Sequence, residues 1–356
     1  MSGTASMTST ENGWRRFWNR GGFWRAILIT AAYFAAYNGL QIAITTLAAD
    51  WISSEGTFAD PATVFWGTTA SILAGGLLVL AFAATVGWVR EIFGRQPIGG
   101  SWWMWIAPIV ILAFNAIRYA SIDYTVFTVG TILMTLFMGL VVGFTEELLT
   151  RGVVVNVMRK HGYGEWMVMF VSSLSFALLH SGYFYTSGVL VGIYEVLYTF
   201  FFGVLMYLTL RVTGNIIWPI LVHASTDPSV FLQAGAIGDA DAAGGAVGPL
   251  AELSGYANWA VMIVGIVLMI FVRGRVAAKE QATTAGRAGA RPGRASARPL
   301  AAPVSCDEWT TDPVRPPQPE GVRAWTSASL RDRPSRWAPS RCPREGACAS
   351  RRARWR

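Results

Sequence analysis

Four stretches of this sequence carry side chains that move protons or bind metals, and all four lie inside apolar runs. FTEELLTRG holds Glu146, Glu147 and Arg151; FALLH begins at Phe176 and ends on His180; GIYEVLY holds Glu195; HASTD runs from His223 to Asp227. Carboxylates combined with imidazoles are the groups used in general acid–base catalysis, and the same nitrogen and oxygen donors suit zinc. The spacing is informative. Glu147 and Arg151 stand four residues apart with the acid first, the favourable order for a pair on one helix face. Glu146 then points about 100° away from Glu147, free to face a cavity. His223 and Asp227 are also four apart and share a face.

Charged groups in the middle of a bilayer cost about 2.5–3.5 kcal/mol each on insertion scales, so they persist where they face the interior of a helix bundle. Depth tests whether these can meet. Glu146 lies 13 residues before the basic residue Arg159, about 20 Å along a helix. His180 lies 15 residues beyond Glu165, about 22 Å, and His223 lies 12 beyond Arg211, about 18 Å. With Arg159, Glu165 and Arg211 as anchors on one membrane face, the motifs reach a common level. Pro219 and Pro228 bracket the His223–Asp227 pair and predict an irregular helix there, tolerable where backbone lines a cavity.

The elements that must hold these groups are membrane spans. Of 356 residues, 53% are hydrophobic and 14% charged, too little charge to cover a soluble protein's surface. Eight apolar stretches are long enough to cross a bilayer: 26–48, 63–88, 101–119, 129–158, 165–184, 188–210, 214–234 and 256–272. Basic residues cluster in the arm 1–25, at Arg90 and Arg95, at Arg159 and Lys160, at Arg211 and after Arg273. Acidic residues occupy the alternate loops, and Arg118 is the exception on the acidic side. The alternation predicts both termini in the cytoplasm, with a bacterial plasma membrane as the expected location. The sequence divides into a basic arm (1–25), a transmembrane helical domain (26–273) and a basic low-complexity tail (274–356) expected to be disordered. Cys306, Cys342 and Cys348 all lie in the tail, so an intrachain disulfide or cysteine-ligated zinc is excluded from the body.

Glu146-Glu147-Leu148-Leu149-Thr150-Arg151 reads as EExxxR, Phe176 to His180 as FxxxH, and His223 to Asp227 as HxxxN/D. In this order on successive helices they resemble the CPBP family of CAAX proteases and bacteriocin-processing (Abi) proteins, which includes the Ras-converting CAAX endopeptidase. The resemblance spans about residues 129–232. It implies an all-α polytopic bundle that hydrolyses peptide bonds within or beside the membrane. It also implies that Glu146 and His180 activate water, that Glu147 and Arg151 orient Glu146, and that His223 and Asp227 stabilise an oxyanion or bind metal. An ionised Asp227 would repel an oxyanion, so it is either protonated, metal-bound or an orienting group for His223. Phe176 and Glu195 are expected as supporting residues. Zinc held by Glu146, His180 and His223 and a metal-free water mechanism both fit the pattern, which lacks HExxH. The expected partners are a membrane-associated protein or peptide substrate and the lipid bilayer, with no specific nucleic acid. Two other functions remain compatible with intramembrane acids: a proton-coupled transporter, and a catalytically silent immunity or scaffold protein.

Overall fold

The computed structural model of the chain describes residues 12–240 and 248–276. The first eleven residues of the arm, Asp241 and the tail from 277, with its three cysteines, lie outside the described residues, as do the side chains of 236–240. Among the described residues the chain is helical, with no strand and a single isolated bridge between Gly164 and Arg275.

A short helix α1 (Gly13–Asn19) precedes eight long ones: α2 (Phe23–Leu47), α3 (Pro61–Val86), α4 (Trp102–Ser121), α5 (Val129–Lys160), α6 (Glu165–Thr186), α7 (Val189–Thr213), α8 (Ile217–Ala240) and α9 (Pro249–Met269). A helix thus stands at each of the eight expected stretches, of which seven meet the requirements of a membrane span. Seven of the long helices are long and apolar enough to cross a membrane, and the protein is an integral membrane protein. The eighth, α8, has the length (24 residues, about 36 Å). His223, Ser225, Thr226, Asp227 and Gln233 make it less apolar than its neighbours.

Local chemistry sets the helix ends. Asp60 caps α3, accepting from the amide of Thr63 at 2.9 Å with Pro61 in the first turn, and that amide bond holds its carboxyl below the usual carboxylate range. Thr128 caps α5 through the amide of Thr131 at 3.1 Å. Gly87 (φ 79°) and Gly214 (φ 72°) close α3 and α7 in the left-handed conformation. Both α3 and α5 contain a π-helical turn, at Phe65–Thr69 and at Leu148–Val154. The second begins directly after Glu147, in keeping with the tendency of such turns to fall at functional sites.

The packing that matters most is α5 against α8, the most extensive helix pair among the described residues. Gly139 and Gly143 form its seam. A methyl group at Gly143 would stand 2.7 Å from the carbonyl oxygen of Ile220 and 2.8 Å from the amide of Ala224. One at Gly139 would stand 2.3 Å from Pro228 and 2.7 Å from the carbonyl of Ala224. Small residues four apart let two backbones touch where lipid gives no hydrophobic drive to associate. The opposite side of α5 shows Leu133, Leu136, Phe137 and Leu140 to the surroundings, as a lipid-facing stripe should. The irregularity expected around the prolines of α8 is absent: the helix runs through Pro228 unbroken. The carbonyl of Ala224, left without its usual amide partner by Pro228, faces Gly139 across the seam.

Arg159 and Arg211 depart from their expected role as surface anchors. Both are buried, and both converge on Glu165. Arg159 donates to Glu165 at 2.9 and 2.7 Å, Arg211 donates at 3.2 Å, and the Tyr207 hydroxyl donates to the same carboxylate. Gln96 and the carbonyl of Gly99 accept the outer guanidinium hydrogens. The cluster ties α5, α6 and α7 together at one end of the bundle. A positive residue at a helix end reads the same from sequence whether it meets headgroups or a buried acid.

Candidate active site

Glu146 and Glu147 sit at the end of the regular part of α5, where the glycine seam has brought α8 close. Glu147 is fully buried. Its Oε1 accepts from Arg151 Nη1 at 2.9 Å and lies 2.9 Å from His223 Nδ1. Arg151, also fully buried, donates to Thr150 Oγ1 at 2.6 Å and to the carbonyl of Gly203 on α7 at 2.8 Å. Its guanidinium lies 4.8 Å over the ring of Phe176, a cation–π contact in a desolvated setting. Glu147 thus does more than hold Arg151: it fixes the ring of His223. An imidazole bonded through Nδ1 to a carboxylate presents Nε2 in a defined direction.

That direction is toward two further acids. His223 Nε2 lies 3.9 Å from Glu146 Oε2 and 3.7 Å from Asp227 Oδ2. These two carboxylates are 16% and 20% exposed, whereas His223 and Glu147 are sealed, so the open side of the cluster belongs to Glu146 and Asp227. Glu146 Oε2 has no hydrogen-bond partner. Phe176 and Phe202 pack edge-on against the His223 ring at 5.5 and 5.1 Å. Phe176 therefore does two things, covering Arg151 and walling His223.

His180 comes from α6 at the point where its regular helix loosens into a 3-10 turn, His180–Gly182. Its Nδ1 lies 3.0 Å from the carbonyl of Phe176, which can only accept, so Nδ1 carries a proton, and in the neutral ring Nε2 then keeps a lone pair. Its ring stands 5.0 Å from that of Phe176, and Asp227, His223 and Glu195 are its electrostatic neighbours. Glu195 is half-buried on α7 with His180 as its electrostatic neighbour, at the edge of the cluster. An apolar cavity of about 190 Å³ opens between α2 and α6, lined by Phe34, Leu178 and Ser181 among others, and carries none of the ionisable groups.

The structure therefore gathers Glu146, Glu147, Arg151, Phe176, His223 and Asp227 into one contact network, with His180 beside it and Glu195 behind. Glu146 and His223, expected at one level, do meet, with Oε2 and Nε2 3.9 Å apart. Two groups were missed from sequence. The Gly139–Gly143 pair had a legible signal, two glycines four apart in an apolar run. Asn115, which donates to Ser225 Oγ and Thr226 Oγ1 at 3.0 and 2.9 Å and so braces α8 beside Asp227, had none.

Among the described residues no group of three His, Cys, Asp or Glu side chains is gathered so as to hold a metal ion. His223 Nδ1 is engaged by Glu147, leaving Nε2 as its one potential ligand. The expected zinc set of Glu146, His180 and His223 is not gathered into such a group.

Comparison with curated proteins finds no match. A family model described as Rce1-like, type II CAAX prenyl endopeptidase Rce1-like, matches residues 128–228. That span begins at the Thr128 cap of α5, takes in the three motifs and ends one residue after Asp227. Residues 128–228 of this membrane protein are thus similar to a CAAX protease domain of the Rce1-like type.

Proposed function

We propose that this protein is an intramembrane endopeptidase that hydrolyses a peptide bond of a membrane-associated protein or peptide, using water activated by Glu146 and His180. The observation that carries the reading is the fixed ring of His223, bonded to Glu147 at 2.9 Å with Nε2 held between Glu146 and Asp227. Separations of 3.9 and 3.7 Å are bridged by one water offset from the line joining the groups, which donates to the carboxylate and accepts from the imidazole.

The chemistry then runs on side chains alone. A water bonded to Glu146 gives its proton to that carboxylate as its oxygen attacks the scissile carbonyl carbon. His180 Nε2 accepts the water's other hydrogen and aligns it. The oxyanion that forms accepts a hydrogen bond from His223 Nε2 when both ring nitrogens carry protons, Nδ1–H being taken by Glu147. Donors of this kind are worth most where water is excluded. As the tetrahedral adduct collapses, the C–N bond breaks and the proton held by Glu146 passes to the leaving nitrogen. Asp227, one turn from His223, orients the imidazole from its open side. Arg151 neutralises Glu147, and Glu195 positions His180. No step is routed through a metal. The charge alternation along the sequence supports both termini on the cytoplasmic side, with a bacterial plasma membrane as the proposed location.

The test is cleavage of a peptide library by the full chain in lipid vesicles, comparing the parent with Glu146→Gln, His180→Ala and His223→Ala, each with and without a chelator. All three variants should lose cleavage while remaining inserted and folded. Equal activity in the four proteins would end the protease reading, and chelator-sensitive activity would assign the missing part of the chemistry to a metal.

A further inference from the structure

Among the described residues seven buried polar side-chain atoms have no hydrogen-bond partner, and five of them belong to α5 and α6, the helices of the candidate active site. The other two, Trp18 Nε1 and Arg25 Nε, share the corner where α1 turns into α2. The corner is closely built. The ring of Phe17 stands 5.1 Å from that of Trp18, and the Arg25 guanidinium lies 4.5 Å over the centre of the same Phe17 ring. Gly21 joins the two sides: its amide donates to the carbonyl of Trp18 at 3.0 Å, and its carbonyl accepts from Arg25 Nη1 at 2.7 Å. Trp18 is 4% exposed. Both unpartnered atoms are N–H donors, so the group that completes them is an acceptor. A buried donor without one is costly.

The rest of the corner selects a negatively charged acceptor. Helix α2 starts after Gly22 with no side-chain cap and no acid in its first turn, so the positive end of a 25-residue helix stays open there. Arg16 and Arg20, both exposed and four residues apart, flank the corner in sequence, and neither is paired with an acid among the described residues. The acids at this end of the bundle are committed elsewhere: Glu91 to Lys160 and Asn156, Glu165 to Arg159 and Arg211. The level is that of lipid headgroups. Trp14 Nε1 donates to Thr85 Oγ1 at 3.1 Å and Trp18 meets Phe82 at 4.9 Å, both in the last turns of α3. The amide of Gly22 donates to the carbonyl of Val157, near the end of α5, at 3.1 Å. Trp14, Phe17 and Trp24 are exposed around the corner, as aromatic residues are at a membrane surface. We propose that this corner binds the phosphate of an anionic phospholipid, with Trp18 Nε1 and Arg25 Nε donating to its oxygens and Arg16 and Arg20 attracting the headgroup. The inference does not depend on the protease reading.

The test is native mass spectrometry of the full chain in neutral detergent, titrated with phosphatidylglycerol or with phosphatidylcholine, with inorganic phosphate as a third arm. The parent should hold one phosphatidylglycerol molecule about tenfold or more tighter than phosphatidylcholine. Trp18→Phe keeps an aromatic ring and every charge but removes one donor, and Arg25→Gln removes the other. Each should weaken that binding about ten- to a hundredfold. Arg95→Gln, which removes an exposed charge outside the corner, should leave it unchanged. The basic tail is present in every protein compared, so its own attraction for the lipid cancels. Equal affinity of the parent for both lipids overturns the inference, and so does undiminished binding by a folded Trp18→Phe protein. An equal loss in Arg95→Gln would reduce the effect to general surface charge, and displacement of the lipid by inorganic phosphate would give the site to free phosphate; either result overturns it as well.

Discussion

Gly143→Ala should slow cleavage strongly without unfolding the protein, although the glycine touches no reacting group. The added methyl carbon would stand 2.7 Å from the carbonyl oxygen of Ile220 and 2.8 Å from the amide nitrogen of Ala224. Both are backbone atoms, so no rotamer relieves the contact. A carbon and a carbonyl oxygen settle at about 3.3–3.6 Å, so α8 must withdraw from α5 by roughly 0.6–0.9 Å. The bond from His223 Nδ1 to Glu147 Oε1, now 2.9 Å, would lengthen past the ordinary limit of about 3.2 Å. His223 then loses a charge-assisted bond worth about 1.5–3 kcal/mol and the direction of its Nε2 with it. Misplacements approaching 1 Å cost on the order of a hundredfold in rate, so kcat should fall about ten- to a hundredfold with KM nearly unchanged. The assay is vesicle cleavage, with Gly39→Ala as the control because a methyl group there meets nothing within 4 Å. Full activity in a folded Gly143→Ala protein would refute the claim that the glycine seam sets the His223–Glu147 distance.

Three further outcomes follow from contacts described above. Glu146→Gln should abolish cleavage by a factor on the order of 10² or more while leaving thermal stability close to the parent's, because Glu146 Oε2 bonds no protein group; a melting curve beside the cleavage assay checks both. Glu147→Gln should cost about 3–5 kcal/mol of stability as well as activity, since it strips Arg151 and His223 of one shared carboxylate; an unchanged denaturation midpoint would count against that. Glu165→Gln should be similarly destabilising, for it leaves two buried guanidiniums unneutralised, yet at low temperature it should retain the parent's kcat.

The spans were readable from sequence because a bilayer demands about 20 apolar residues whatever the neighbours are; the first six stretches correspond to α2 through α7 within three residues, while α8 runs six residues past its expected end and α9 begins seven before its expected start. The members of the candidate site were readable for a related reason: an acid or imidazole in an apolar run is conspicuous, and helical rise alone put Glu146, His180 and His223 at one level. Partner choice was not readable. EExxxR suggests that Glu147 serves Arg151, but the second bond of Glu147, to His223, crosses 76 residues of sequence. Arg159 and Arg211 look like residues meeting lipid headgroups until Glu165 is seen between them. The proline pair in α8 suggested disruption, since a sequence displays the amide that Pro228 lacks and not the glycine of another helix that lets its backbone pack closely.

The π-helical turn at Leu148–Val154 has a consequence for the whole of α5. Upstream of it, Glu146 and Glu147 look toward α8; downstream, Arg159 looks toward α6. A widened turn carries the surplus residue that lets one rod satisfy both audiences. Deleting a single residue from this stretch would restore ordinary winding and swing one half of the rod by about 100° relative to the other. Either the acidic pair or the guanidinium would then be turned away from its neighbours, so this segment should tolerate exchange of its side chains far better than any change in its length.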